Sequence, residues 1–141
     1  VWYREGFERK NNMRMVAFIS VLAAGFVMAV GCGDSGITDP DDLVFPDSNV
    51  SYAEHVQPLF NLRCTNSGCH EEQTRAGDLV LTSYFNLTAR PGIVVPFSSE
   101  SSLLAQKIDG RNPHRINTPI LVNANQIQGV KTWIDEGAKN N

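Results

Sequence analysis

Residues 51–70 read SYAEHVQPLFNLRCTNSGCH, and the fold turns on how this stretch is read. Ser51-Tyr52-Ala53-Glu54 has the form of a capping box, so a helix starts here. Val56, Leu59 and Phe60 give an apolar stripe at helical spacing. Pro58 interrupts that stripe. Either the helix kinks there, or a first turn ends and a new helix begins at Pro58. The helix delivers Cys64, the first residue of Cys64-Thr65-Asn66-Ser67-Gly68-Cys69-His70, a C-x4-C-H motif.

The residue types of this motif suit a covalent haem. Each vinyl group of the porphyrin takes one cysteine sulfur as a thioether. A histidine directly after the second cysteine then faces the iron from the same side, and the axial ligand is a main lever on haem iron. The common signature is C-x-x-C-H, so this motif has two extra residues between its cysteines. Two other readings stay open on the motif alone. Cys64 and Cys69 form a disulfide, which an exported chain permits. Alternatively they join His70 and His114 on zinc, against which stands the difficulty of pointing adjacent Cys69 and His70 at one tetrahedral ion.

Downstream of the motif the signals are mainly helical. Leu79 to Leu81 is short and apolar, and Arg90-Pro91-Gly92 marks a turn. Ile93 to Pro96 reads as extended chain. Residues 101–109, SSLLAQKID, read as a short helix with serines at its start and Gly110 beyond its end. Asn112 to Pro119 holds two prolines and reads as a loop. Asn123 is a candidate N-cap with Gln126 three residues on. Ile127, Val130 and Ile134 then form one helix face, with Trp133 beside it as a core residue and Gly137 as a stop. Strand signals are weak, so the expected fold is mainly α. Tyr84 and Phe85 are expected to pack, with a place over a haem edge as the alternative. No hydrolytic triad or paired-carboxylate arrangement stands out. Asp135 and Glu136 are neighbours and face different directions on a helix.

The N-terminal third is organised differently. Met15 to Val30 is an apolar run with Arg14 before it, shorter than the ~20 residues of a spanning helix. A basic start, an apolar centre and small residues at the end make a secretory signal. Ala29-Val30-Gly31-Cys32 resembles a bacterial lipobox, with Ala29 where Leu is more usual, so Cys32 is the expected lipidation site. Val1 to Asn12 lies ahead of Met13, a natural start, and is expected to be upstream read-through or a mis-called start. The chain thus divides into 1–31, N-terminal extension and signal peptide; 32–49, lipidated Cys32 and an acidic flexible tether; and 50–141, the folded domain. The tether carries Asp34, Asp39, Asp41, Asp42 and Asp47 and no base. As a coil it would reach on the order of 20 Å. The net charge of −3 then belongs to the tether, and no basic stripe offers itself to nucleic acid. The expected location is exported, at the periplasmic or outer face of the envelope, held to a membrane by lipid.

From Tyr52 to Ala138 the chain resembles the planctomycete-type cytochrome c domain family. Val56-Gln57-Pro58-Leu59-Phe60 is similar to the family's V-x-P-I-F lead into the first cysteine. Residues 77–84, GDLVLTSY, are similar to its G-x-L-x-L-x-x-Y segment. Val94-Val95-Pro96 and Ser102-Leu103-Leu104 match its V-V-P-G-x-x-x-x-S-L-L stretch, with Phe97 in place of Gly. Residues 133–138, WIDEGA, are similar to its W-I-D-x-G-A ending, the most specific piece. The resemblance implies a small cytochrome c-like helical domain around one covalent haem c. It implies attachment at Cys64 and Cys69, His70 as proximal iron ligand, and one-electron transfer to redox partner proteins of the envelope rather than enzymatic turnover.

One departure matters. Ile116-Asn117-Thr118-Pro119 stands where the family has Met-Pro, whose Met is the second axial ligand. All three methionines, Met13, Met15 and Met28, precede Cys32. The domain therefore lacks His/Met ligation. His114, in the same loop, is the preferred distal ligand. His55 is the second candidate, though a surface or half-buried helix position is favoured for it. An open distal site, suited to ligand sensing or peroxidase-like chemistry, is the third option. Loss of the thioether predicts a lower potential than that of a Met-bearing relative.

Overall fold

A computed structural model describes residues 36–114 and 122–141. Cys32, the apolar run and Thr118 lie outside the described residues. Ile37–Asn141 form one unit. It is mainly helical, as expected, with no sheet among the described residues. Among the described residues four α-helices frame it: α1 (Gln57–Arg63), α2 (Tyr84–Thr88), α3 (Leu103–Ile108) and α4 (Ala124–Asp135). None of the described helices is long and apolar enough to cross a membrane.

The start of the helical region shows what Pro58 does. Ser51 caps a turn by accepting the Glu54 N–H, one half of the expected capping box, while its own N–H goes to His55 Nδ1 and not to Glu54. The turn Tyr52–Val56 is π-helical, and α1 then begins with Pro58 in its first turn. Proline has no N–H and its ring crowds the carbonyl four residues back. Widening the preceding turn to bonds five residues apart relieves that crowding without breaking the axis.

The longest helix, α4, follows its sequence closely. Asn123 and Gln126 form a reciprocal capping box. Val130, Trp133 and Ile134 are buried from its inner face, and Gly137 turns the chain at φ +105°. The Trp133 ring packs 5.5 Å from Tyr52, and its indole N–H donates to the Lys139 carbonyl at 2.9 Å. Trp133 is thus a core residue, as expected. Tyr84 joins the same cluster edge-on to Tyr52 and donates to the Ala138 carbonyl at 2.9 Å. Phe85 is exposed.

Residues 37–49 correct the expected tether. They are a strap packed on the domain, not free coil. Leu43 and Phe45 are buried in the main core while Val44 between them faces solvent. Polar groups of α4 bind the strap's backbone. Gln126 donates to the Pro40 and Leu43 carbonyls at 2.6 and 3.2 Å. Asn125 accepts from the Phe45 N–H at 2.8 Å and donates to its carbonyl at 3.0 Å. Glu136 receives the N–H groups of Asn49 and Val50 at 2.6 and 2.9 Å. Gly129 makes room for the strap, since a Cβ there would stand 2.2 Å from the Phe45 ring. The acids of this stretch are therefore part of the fold: Asp39 caps the 3-10 turn Pro40–Asp42, and Asp41 pairs with Arg63 at 3.0 Å. Two alternating apolar residues among four acids and two prolines are too short a pattern to distinguish from a linker.

The loop between α2 and α3 is stapled in a similar way. Asp135 accepts from the Ser99 N–H at 2.7 Å and from its hydroxyl at 2.8 Å. The buried Ser102 hydroxyl accepts from the Val95 N–H at 2.8 Å and donates to the Ser98 carbonyl at 2.9 Å. The two neighbouring carboxylates of α4's end thus hold two different segments, Asp135 this loop and Glu136 the strap.

Candidate functional site

The C-x4-C-H loop grows out of the end of α1. The Cys64 N–H donates to the Phe60 carbonyl at 2.7 Å and the Thr65 N–H to the same oxygen at 2.9 Å, which ends the helix. A turn then closes from the Cys69 N–H to the Asn66 carbonyl at 2.9 Å. Gly68 makes the turn possible at φ +87°, a region costly for a side chain. Its N–H donates to the Glu71 carboxylate at 2.8 Å. Finally the His70 N–H donates to the Cys64 carbonyl at 3.0 Å. That last bond brings the two ends of the motif together. The two extra residues are absorbed in the turn, and Cys64 and His70 remain neighbours across it.

His70 is fixed on three sides. Besides its own N–H, its carbonyl accepts from the Leu81 N–H at 2.9 Å. Its ring Nδ1 lies 3.3 Å from the Leu79 carbonyl. A carbonyl can only accept, so this contact puts the proton on Nδ1 and leaves Nε2 with its lone pair. Metal-bound histidines are held in this way, with the second nitrogen donating to a carbonyl that sets ring orientation and basicity. The segment Leu79 to Leu81, an apolar run in the sequence, therefore serves His70 through its backbone.

His114 lies close by. Its ring centroid is 6.0 Å from that of His70, with the planes inclined at 69°. Its Nδ1 is buried without a hydrogen-bond partner among the described residues. Burial, then the nearness of His70 and Lys107, holds its imidazole below the ordinary histidine range. Neutral imidazole is the form that binds a metal. An imidazole nitrogen sits at about 2.0 Å from such an ion, and the ring centre about 1.1 Å further back. Two imidazoles on opposite sides of one ion would therefore have centroids about 6 Å apart. The observed spacing matches the separation that two imidazoles holding the iron of a haem between them would require.

The sulfurs are free thiols, and Cys64 packs against the core. Burial first, and Cys69 second, push the Cys64 thiol up to about 12, against a smaller opposing effect of Arg63. The thiolate is the nucleophile toward alkylating agents. In the haem-free chain, iodoacetamide at pH 8 should therefore label Cys64 at least a hundredfold more slowly than an unhindered peptide thiol of ordinary pKa near 8.5. Labelling at the peptide's rate, followed by mass spectrometry of the tryptic fragment, would contradict this. Among the described residues no group of three or more His, Cys, Asp or Glu side chains is arranged to hold a metal ion.

His55 lies elsewhere. Its Nδ1 accepts from the Ser51 N–H at 3.3 Å, and its ring packs 5.6 Å from Phe45 of the strap. It is the half-buried helical histidine that the sequence favoured. Of the site residues read from sequence, the structure brings Cys64, Cys69, His70 and His114 into one region. The Leu79 carbonyl is the part that sequence reasoning missed, since a backbone acceptor carries no residue-type signal. Comparison with family models, with curated proteins and with solved structures finds no match to this chain.

Proposed function

We propose that residues 50–141 form a single-haem c-type cytochrome domain that carries one electron at a time, with His70 and His114 as the two axial ligands. The observation that carries this reading is the pair of imidazoles whose ring centres lie 6.0 Å apart, with His70 oriented by the Leu79 carbonyl. Cys64 and Cys69 would hold the porphyrin as thioethers on the side of His70. When bound, the haem supplies an iron centre that changes oxidation state by one electron. The chain's part is to hold both imidazoles in place in either state. Leu79 keeps the His70 ring from rotating, and burial keeps His114 neutral.

The resemblance to the planctomycete-type cytochrome c domains supports the same reading. Phe97, which stands where that pattern has Gly, has a left-handed backbone at φ +65°. That is the conformation a glycine would favour. On this reading the domain is exported, lipid-anchored through Cys32, and exchanges electrons with redox proteins of the envelope. It is a carrier, not an enzyme, and has no role at nucleic acid.

The test is the absorption spectrum of the matured protein beside that of His114→Ala. The wild type should be low-spin in both oxidation states, with no sulfur-to-iron charge-transfer band. His114→Ala should turn high-spin and bind carbon monoxide in the ferrous state. An unchanged low-spin spectrum in the variant would remove His114 from the ligand set.

A further inference from the structure

The five residues between α3 and His114 are braced at almost every step. Gly110 turns the chain at φ +80°. The Asp109 carboxylate accepts from the Arg111 N–H at 3.1 Å and from its Nε at 2.7 Å. Arg111 also pairs with Glu100, which receives Lys131 of α4 at 3.2 Å. The Asn112 N–H donates to the Gln106 carbonyl at 2.9 Å. The Lys107 ammonium, projecting from α3, donates to the Asn112 side-chain oxygen at 2.9 Å and to the Pro113 carbonyl at 3.4 Å. Asn112 and Pro113 are the two residues immediately before His114.

The bracing is uneven in what it controls. The Asp109, Arg111, Glu100 and Lys131 network ties the turn to α4 and ends at Arg111. Beyond Arg111, one backbone bond and one ammonium hold the chain up to His114 among the described residues. The neighbouring side, residues 115–121, lies outside the described residues. A ring whose spacing from His70 matters to within a fraction of an ångström needs its backbone fixed close by, as metal sites generally do.

We propose that Lys107 is a positioning residue for the distal side of the site, its ammonium clamping Asn112 and Pro113 so that the His114 ring stays within reach of the iron opposite His70. This rests on the reading of His114 as distal ligand. Lys107 acts through the loop and touches neither haem nor substrate. Its effect is on the fraction of molecules in which His114 is off the iron. An external ligand binds only that fraction, so its observed association rate scales with it.

The experiment uses the matured, haem-loaded protein and carbon monoxide as the probe. Lys107→Met keeps the aliphatic stem and removes the donors; Lys107→Arg keeps charge and donors. Haem content by pyridine haemochrome should be equal in all three. Carbon monoxide association to the ferrous form should rise about tenfold in Lys107→Met, the scale expected for losing one charge-assisted hydrogen bond. Lys107→Arg should stay closer to wild type, since rescue by the conservative variant distinguishes a clamp from generic loosening. If Lys107→Met takes up no haem, Asn112→Ala removes one of the ammonium's two acceptors and should give a smaller rise. A rate within twofold of wild type in Lys107→Met or, in its place, Asn112→Ala, while His114→Ala is strongly accelerated, would overturn the clamp and leave the ligand standing. No acceleration in His114→Ala would overturn the ligand reading and the clamp together.

Discussion

Replacing both Cys64 and Cys69 by serine is expected to abolish retention of haem through acid–acetone extraction. On the proposed reading the two sulfurs would be the chain's covalent hold on the porphyrin, and a hydroxyl does not add to a vinyl group under the same conditions. The double variant should keep the shape of its loop. The bonds that draw the motif together, from the His70 N–H to the Cys64 carbonyl and from the Leu81 N–H to the His70 carbonyl, are backbone bonds that serine retains. Haem added to the double variant should therefore bind through its iron alone and come away in solvent. Each single variant should keep one thioether, and its pyridine haemochrome band should move to longer wavelength because one vinyl stays conjugated. Full retention of extracted-stable haem by the double variant would contradict the assignment of both sulfurs.

Trp133→Ala should cost about 3–5 kcal/mol, the range for truncating a buried aromatic. Trp133 is 1% exposed and packs against both Tyr52, at the head of the first helical segment, and Tyr84 of α2, with its N–H bonded to the Lys139 carbonyl. Losing it leaves a cavity where three aromatic rings meet and opens the attachment of the chain's last turn. A domain of this size has about 5–15 kcal/mol in total. The melting temperature should therefore fall by roughly 12 °C or more. Trp133→Phe fills most of the space and should lose much less. Should Trp133→Phe keep its melting temperature and yet slow electron exchange with a small-molecule oxidant, the indole would have a part in electron transfer beyond packing.

The sequence made some of this legible for identifiable reasons. Ser51, Asn123 with Gln126, and Gly137 mark helix ends with side chains or backbone freedom suited to that task, and each does what its type suggests. The short helix after Ser102 was equally readable from its flanking residues, although the Ser102 hydroxyl serves the preceding loop instead of the cap. Helix α2 escaped notice because its five residues are too few to show a period, even with Ser83 capping it. The strap escaped for a compositional reason: acids and prolines dominate residues 37–49, while its binding depends on Gln126, Asn125 and Glu136 some eighty residues away. Asp135 and Glu136 read as an uninformative acidic pair because their roles are likewise long-range. In the site, the motif announced Cys64, Cys69 and His70 by type and spacing. What the motif could not convey is how a longer loop still closes, through the His70 to Cys64 backbone bond, and that Leu79 orients the ring.

The most direct measurement of the central claim is the intact mass of the matured protein, taken with its visible spectrum in both oxidation states. A single haem joined through Cys64 and Cys69 requires the mass of the processed, lipidated polypeptide plus that of one haem, with low-spin bands that sharpen on reduction. A polypeptide mass lower by two hydrogens, with no visible absorption, would mean a Cys64–Cys69 disulfide and would contradict the cytochrome reading outright.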